Sequence, residues 1–236
     1  MTAPLMDANE ILDTLLMAYG PQRWWPGDTP LEIMVGAVLT QNTAWRNVAR
    51  AIANLKHDNL LSLDALLEAR PDEVRAAIRP AGFQNVKYAR LLALLRFVAD
   101  TGGLESLTAL PVAGLRPALL KVHGIGPETA DSILLYALGR AVVVVDRYMR
   151  RLMQRLGHGW AAAAPYDEVQ RWFVTGLPAD ADTYGELHAL IVQHGKEHCR
   201  ARPVCEGCPL HYRCETGLSA SDGVTGPLQP ETAPRV

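Results

Sequence analysis

Apolar residues recur at three- and four-residue intervals along most of the chain, the spacing that places them on one face of a helix. Thr29-Pro30-Leu31-Glu32 has the form of a capping box, with Thr29 at the N-cap, Pro30 in the first helical position and Glu32 reaching back. The helix it starts should run to Leu39. Another begins near Thr43, with Val48, Ile52 and Leu55 on one face. Further helices are expected over 61–69, 72–78, 85–99, 166–175 and 184–195, the last apolar at Leu187, Leu190 and Ile191. Joints fall at Pro71, Pro80-Ala81-Gly82, Gly102-Gly103, Pro111 and Pro178. Strand-like alternation is missing. Ala141 to Val145 has a strand's composition but is too short and isolated to build a sheet. Residues 215–236, rich in Gly, Ser, Thr and Pro, read as a disordered tail.

The chain has 236 residues, 49% hydrophobic and 20% charged, enough for one large domain or two small ones sharing a core. Nothing in it approaches the roughly 20 apolar residues that a bilayer requires. Met1 to Asp7 lacks the basic start and apolar core of a secretory signal, so a reducing cytosol is expected. The formal net charge of −2 argues against bulk nucleic-acid binding but leaves room for a local basic face. Arg140, Arg147, Arg150, Arg151 and Arg155 share their stretch with one acid, Asp146, and form either such a face or a solvated helix surface. All four cysteines lie between Cys199 and Cys214, which in a reducing compartment favours a metal site over disulfides.

Two segments carry further chemistry. Leu115 to Lys121 can form a short helix, Val122-His123-Gly124-Ile125-Gly126 a tight turn, and Pro127 opens a second helix with Ala130, Ile133, Leu134 and Ala137 on its buried face. Ile125 would anchor the turn, and backbone N–H groups at a helix N-terminus suit a phosphate. Asp146 stands after four valines and before Arg147-Tyr148. It is an N-cap for the following helix, a partly buried carboxylate facing a substrate, or both.

Lys121 to Arg151, with its hairpin, helix, apolar run and Val-Asp, resembles the signature of the helix-hairpin-helix DNA glycosylase superfamily. Leu190-Ile191-Val192-Gln193-His194-Gly195-Lys196-Glu197-His198-Cys199, followed by cysteines spaced C-x5-C-x2-C-x5-C, is similar to the cluster region of endonuclease III, with the first gap one residue short of the family's six. The resemblance covers residues 25–214. It implies an all-α fold of two lobes: a six-helix lobe over 27–140 containing the hairpin (115–138), and a second lobe of 1–26 plus 141–214 containing a [4Fe–4S] loop at 199–214. Double-stranded DNA with a damaged base would lie in the cleft between them, bound by a monomeric cytoplasmic enzyme near the nucleoid, with Asp146 lining the cleft.

The chain departs from endonuclease III at Gly124-Ile125-Gly126-Pro127-Glu128-Thr129-Ala130, where Glu128 replaces the lysine of members that cut the strand. A carboxylate cannot form a Schiff base, so no lyase step is expected. Glu128 is either a second carboxylate in the cleft or a first-turn acid favoured by the helix dipole. Trp24-Trp25-Pro26, then Val38 to Trp45 and Asn47-Val48, resemble the 3-methyladenine glycosylase branch, in which aromatic residues hold an alkylated purine. A cationic base over an indole gains roughly 0.5–2 kcal/mol. Trp45 and one of the adjacent Trp24 and Trp25 are expected in the pocket.

By the same resemblance Gln41 enters the gap left by an extruded nucleotide. Gly82-Phe83-Gln84-Asn85-Val86-Lys87 matches a loop whose apolar residue, Phe83 here, wedges the opposite strand, unless Phe83 packs on the core. Gly124, Ile125, Gly126, Arg147, Arg200 and Arg202 would meet the phosphates. Cys199, Cys205, Cys208 and Cys214 suit zinc or an Fe–S cluster by residue type, and the resemblance favours [4Fe–4S]. The activity implied is hydrolysis of the N-glycosidic bond of a damaged base; excision of oxidised pyrimidines and catalytically weak damage binding are the alternatives.

Overall fold

The computed structural model describes residues 5–22 and 24–221, which form helices joined by turns, with no strand among the described residues. In order these are α1 (Ala8–Tyr19), α2 (Pro30–Leu39), α3 (Trp45–His57), α4 (Leu63–Glu68), α5 (Pro71–Ile78), α6 (Gln84–Asp100), α7 (Gly103–Ala109) and α8 (Val112–Leu119). Then come α9 (Pro127–Ser132), α10 (Arg147–Arg155), α11 (Tyr166–Gly176), α12 (Ala181–Glu197) and α13 (Glu215–Ser221). No described helix is long and apolar enough to cross a membrane.

Local chemistry accounts for the helix starts. Thr29 Oγ1 accepts from Glu32 N–H at 3.2 Å, as expected. Glu32 itself does not return to the cap: its carboxylate takes Asp28 N–H at 3.2 Å and Lys56 Nζ at 2.9 Å, because α3 brings a cation within reach. The pattern of apolar residues does not reveal α1, although Asp7 and Glu10 form a reciprocal capping box that marks its start. Glu215–Ser221, expected as the start of a tail, is helical; the remainder of that stretch, 222–236, lies outside the described residues.

Buried apolar side chains form two cores. Helices α2 to α9 enclose one, around Val35, Val38, Leu55, Leu91, Leu119 and Leu134. α1 packs with α10, α11 and α12 around the other, through Ile11, Leu15, Leu152, Phe173, Leu187 and Leu190. The seam runs through the segment that follows α9. There Ile133–Ala137 winds as a π-helical turn, with Leu138 N–H bonded to Ile133 O at 3.2 Å. The wider turn sends Ile133 and Leu134 into the first core and Leu135 into the second.

The valine run continues this division. Val142 joins the first core and Val143, Val144 and Val145 the second, so an extended segment is buried on both sides without a strand partner. Side chains of α11 supply the missing backbone partners: Gln170 Nε2 donates to Val143 O at 2.6 Å, and Val145 N–H donates to Tyr166 Oη at 3.0 Å.

A buried ion pair beside the seam is tied across it by α11. Asp131 is fully buried on α9; Arg116 of α8 grips it through two bonds of 2.7 and 3.0 Å, and Gln170 Nε2 of α11 donates to it at 2.8 Å. Removing Arg116 would leave a buried carboxylate without its cation, a loss of about 3–5 kcal/mol. Urea unfolding of Arg116→Ala should lose stability on that scale, while Arg116→Ala combined with Asp131→Asn should recover part of it. A single variant as stable as the parent would contradict this account of the seam.

Candidate active site

Asp146 ends the valine run and caps α10. Its Oδ1 accepts from Met149 N–H at 2.8 Å and its residue is 8% exposed. Both sequence-based readings of this carboxylate are therefore structurally compatible, since one oxygen serves the cap and the other is left over. That second oxygen, Oδ2, faces His188 Nε2 of α12 at 3.6 Å.

An aromatic group surrounds this point. His188 Nδ1 is 2.6 Å from Tyr136 Oη on the π-helical turn, and Trp24 stacks near the His188 ring at a centroid distance of 6.3 Å. Trp25 lies 5.0 Å from Tyr136 and meets Trp45 edge-on at 5.3 Å. The adjacent Trp24 and Trp25 thus both enter the group, beside different neighbours, where only one was expected. Both Trp25 and Trp45 pack over Gly36 of α2. Both Trp24 and Trp25 hold Nε1 buried without a hydrogen-bond partner. Pro26 is exposed, and Lys196 Nζ rests 4.7 Å from the Trp24 ring centre. Tyr136 and His188 were missed by the sequence reading. Each looks like an ordinary side chain on an apolar helix face until the fold brings the two together.

Glu128 lies in the first turn of α9, with its side chain open to water. Desolvation by the surrounding protein, and then the Asp146 charge, push its carboxyl up to about 7, against the pull of the Arg147 cation.

The residues expected at DNA differ in how they are held. Ile125 is buried at the hairpin tip, and neither Gly124 nor Gly126 uses its N–H in a backbone hydrogen bond. Gly124 has φ +78°, and its α-carbon abuts the Arg90 side chain, so no Cβ would fit. Gln41 does not project freely: its Nε2 donates to Gly124 O and Thr129 Oγ1, both at 3.0 Å, and its Oε1 accepts from Arg90 at 2.7 Å. Phe83 is 71% exposed in the left-handed region at φ +48°, an uncommon conformation for an aromatic residue, and it does not pack on the core. Arg200 and Arg202 are exposed, with Arg200 Nε tied to Lys196 O at 2.7 Å.

The arginine run does not form one continuous face. Arg140 holds the carbonyls of Thr108 and Leu110, Arg150 those of Ala161 and Ala164, and Arg151 that of Cys199. Arg155 is buried, donating to the carbonyls of Arg200 and Ala201 and to Cys199 Sγ at 3.2 Å. Of the five, Arg147 is the exposed one. Helical spacing alone hides this, because the carbonyls come from distant segments.

The four cysteines are unpaired and line one pocket together with Leu152, Arg155 and His194. They ring it rather than close on a point: among the described residues no three His, Cys, Asp or Glu side chains could hold a metal ion. Burial pushes the Cys208 thiol up to about 11.

Residues 35–178 match the model of the HhH-GPD superfamily base excision DNA repair protein. The chain is 46% identical over 208 residues to a Methanocaldococcus jannaschii protein named "putative DNA repair glycosylase", covering 87% of this chain and 94% of that one. It is 30% identical to a thymine-DNA glycosylase of Aeropyrum pernix, over 81% of this chain and 84% of the other. Among solved structures it is similar to the H. pylori 3-methyladenine DNA glycosylase bound to 1,N6-ethenoadenine, with a TM-score of 0.71, 31% identity, and coverage of 81% of this chain and 98% of that one. An endonuclease III–DNA complex shares the fold at a TM-score of 0.77 and 22% identity, covering 92% of this chain and all of the other. With that match spanning more than half its length, the chain belongs to the HhH-GPD superfamily of base excision DNA repair proteins.

Proposed function

We propose that this DNA repair glycosylase hydrolyses the N-glycosidic bond of an alkylated purine turned out of duplex DNA, and leaves the abasic site uncut. The observation that carries this reading is a carboxylate, Asp146, fixed beside an aromatic group, with a second carboxylate rather than an amine at Glu128.

As the C1′–N bond breaks, the sugar gains positive charge, and Asp146 stabilises it while orienting the attacking water. Trp24, Trp25 and Trp45 form the walls against which a flipped purine stacks, with Pro26 at their edge. Lys196 competes for the Trp24 face, but it is exposed and free to turn toward a phosphate when a base takes the ring. The structural similarity to an enzyme bound to 1,N6-ethenoadenine supports a purine substrate. Extrusion costs a few kcal/mol, least for a damaged base. Phe83 wedges the opposite strand, and Gln41 fills the gap after leaving Gly124 and Thr129. The amides of Gly124 and Gly126, with Ile125 as anchor, and Arg147, Arg200 and Arg202 hold phosphates along the cleft between the two cores; the active unit is one chain.

Cys199, Cys205, Cys208 and Cys214 would hold a [4Fe–4S] cluster. The donor set fits: four thiols line one pocket, and the buried Arg155 guanidinium beside Cys199 can balance cysteinate charge. The cluster would supply a cross-link that fixes the loop bearing Arg200 and Arg202. No step of glycosidic hydrolysis needs its electrons.

The reading sets several expected outcomes. With duplexes bearing 3-methyladenine, thymine glycol or a T:G mismatch, followed by alkali, the protein should release the methylated purine fastest. Asp146→Asn should slow release by about two to three orders of magnitude while still binding DNA. Excision of thymine glycol alone, or full activity in Asp146→Asn, would contradict the proposal; lesion binding without release would favour a damage-binding role. Borohydride should trap no covalent DNA adduct with the parent protein, and Glu128→Lys should introduce one.

A further outcome concerns pH. A glutamate whose pKa rises on folding stabilises the folded state below its unfolded value, near 4.5, and loses that contribution as pH climbs through about 7. Glu128→Gln should therefore match the parent in urea at about pH 4 and exceed it at about pH 8. A difference that does not change with pH would show that Glu128 is simply solvated. Cys208→Ser should cost the visible absorbance of the cluster and lower Tm; a colourless parent protein would remove the cluster.

A further inference from the structure

Tyr136 and His188 remain unexplained by the activity proposed above, although they sit against its central carboxylate. His188 is 6% exposed, and its Nε2 is a buried nitrogen with no hydrogen-bond partner, aimed at Asp146 Oδ2 from 3.6 Å. Its other nitrogen, Nδ1, lies 2.6 Å from Tyr136 Oη. The tyrosine has one proton to give. Its alternative acceptor, Gly185 O, is 3.4 Å away, so the shorter contact takes the proton and Nδ1 is the acceptor. A neutral imidazole that accepts at Nδ1 carries its hydrogen on Nε2, which then points at the carboxylate. The opposite tautomer would set a lone pair against a negative oxygen in a buried site.

We infer that Tyr136 and His188 form a positioning pair for Asp146: Tyr136 fixes the His188 tautomer, and His188 Nε2–H holds Oδ2 while Met149 N–H holds Oδ1. This deepens the proposed reaction and rests on Asp146 being its carboxylate. Each oxygen then has one donor, and the carboxylate cannot rotate about its Cβ–Cγ bond. At 3.6 Å the contact is longer than a formed hydrogen bond, and closure around the sugar is expected to shorten it. The local fold is built for the arrangement. The π-helical turn sets Tyr136 against α12, where its ring packs beside Gly185, one turn before His188. The Trp24 ring lies roughly parallel to the imidazole, 6.3 Å between centroids.

Two measurements test the pair. The first needs no substrate. Nitrogen-15 NMR of the full-length protein should show His188 protonated at Nε2 and bare at Nδ1, and Tyr136→Phe should broaden or change that signature. A His188 protonated at Nδ1 alone overturns the inference, whatever the lesion preference proves to be. The second is single-turnover release of 3-methyladenine from DNA methylated with dimethyl sulfate. His188→Leu should slow the chemical step by about tenfold to a hundredfold with DNA affinity unchanged, the scale of a misplaced catalytic group. His188→Gln, which keeps an amide N–H in the place of Nε2, should recover most of the rate, and Tyr136→Phe should fall between. Full activity in His188→Leu, or equal losses in the leucine and glutamine variants, overturns the pair as positioning residues. If the parent protein releases no methylated purine, the substrate reading has failed, and the tautomer measurement still decides the inference.

Discussion

The hydrogen bond from Met149 N–H to Asp146 Oδ1 is the interaction on which the rest of the site depends. A helix leaves its first amides unpaired, and a carboxylate at the N-cap satisfies one of them. Here that ordinary stabilising device also fixes a negative charge at the seam between two cores. The cap occupies one oxygen and leaves the other facing the aromatic group. The cap hydrogen bond explains why a charged residue can end a run of four buried valines, and in the proposed reaction the same side chain carries the chemistry.

The seam itself follows from packing. Residues 133–145 supply side chains to both cores in turn, first through the wider π-helical turn and then through an extended segment whose amides and carbonyls find side-chain partners on α11. α1 closes the second core from the far end of the chain. Arg116, Asp131 and Gln170 tie the hairpin helices to α11 across the same line. The position of Asp146 relative to Glu128 and His188 is therefore set by buried contacts from several helices and not by a loop.

Much of this was legible in the sequence because its causes are local. The start of α2 could be read from Thr29 and Pro30, the hairpin from Gly124 and Gly126, and the N-cap from Asp146 itself. What escaped depends on distant partners. Arg155 looks like one more surface cation on a basic helix, yet carbonyls from residues 200 and 201 draw it inside. Gln41 gives no sign of its bonds to Gly124 and Thr129, more than 80 residues away. Only one of Trp24 and Trp25 was expected beside Trp45, but an irregular segment is free of helical or strand alternation, and both reach the same aromatic group. His188 and Tyr136 carry no motif at all; only the fold makes them neighbours.

The central claim is electrostatic: the Asp146 carboxylate stabilises a sugar that becomes positive while the base departs. Its most direct test compares binding to two duplexes, one with a cationic pyrrolidine in place of the target sugar and one with a neutral tetrahydrofuran. The account predicts that the protein binds the cationic duplex at least about a hundredfold more tightly, as expected for a transition-state mimic, and that Asp146→Asn loses this preference. Equal affinity for the two duplexes, or a preference that survives in Asp146→Asn, would contradict it.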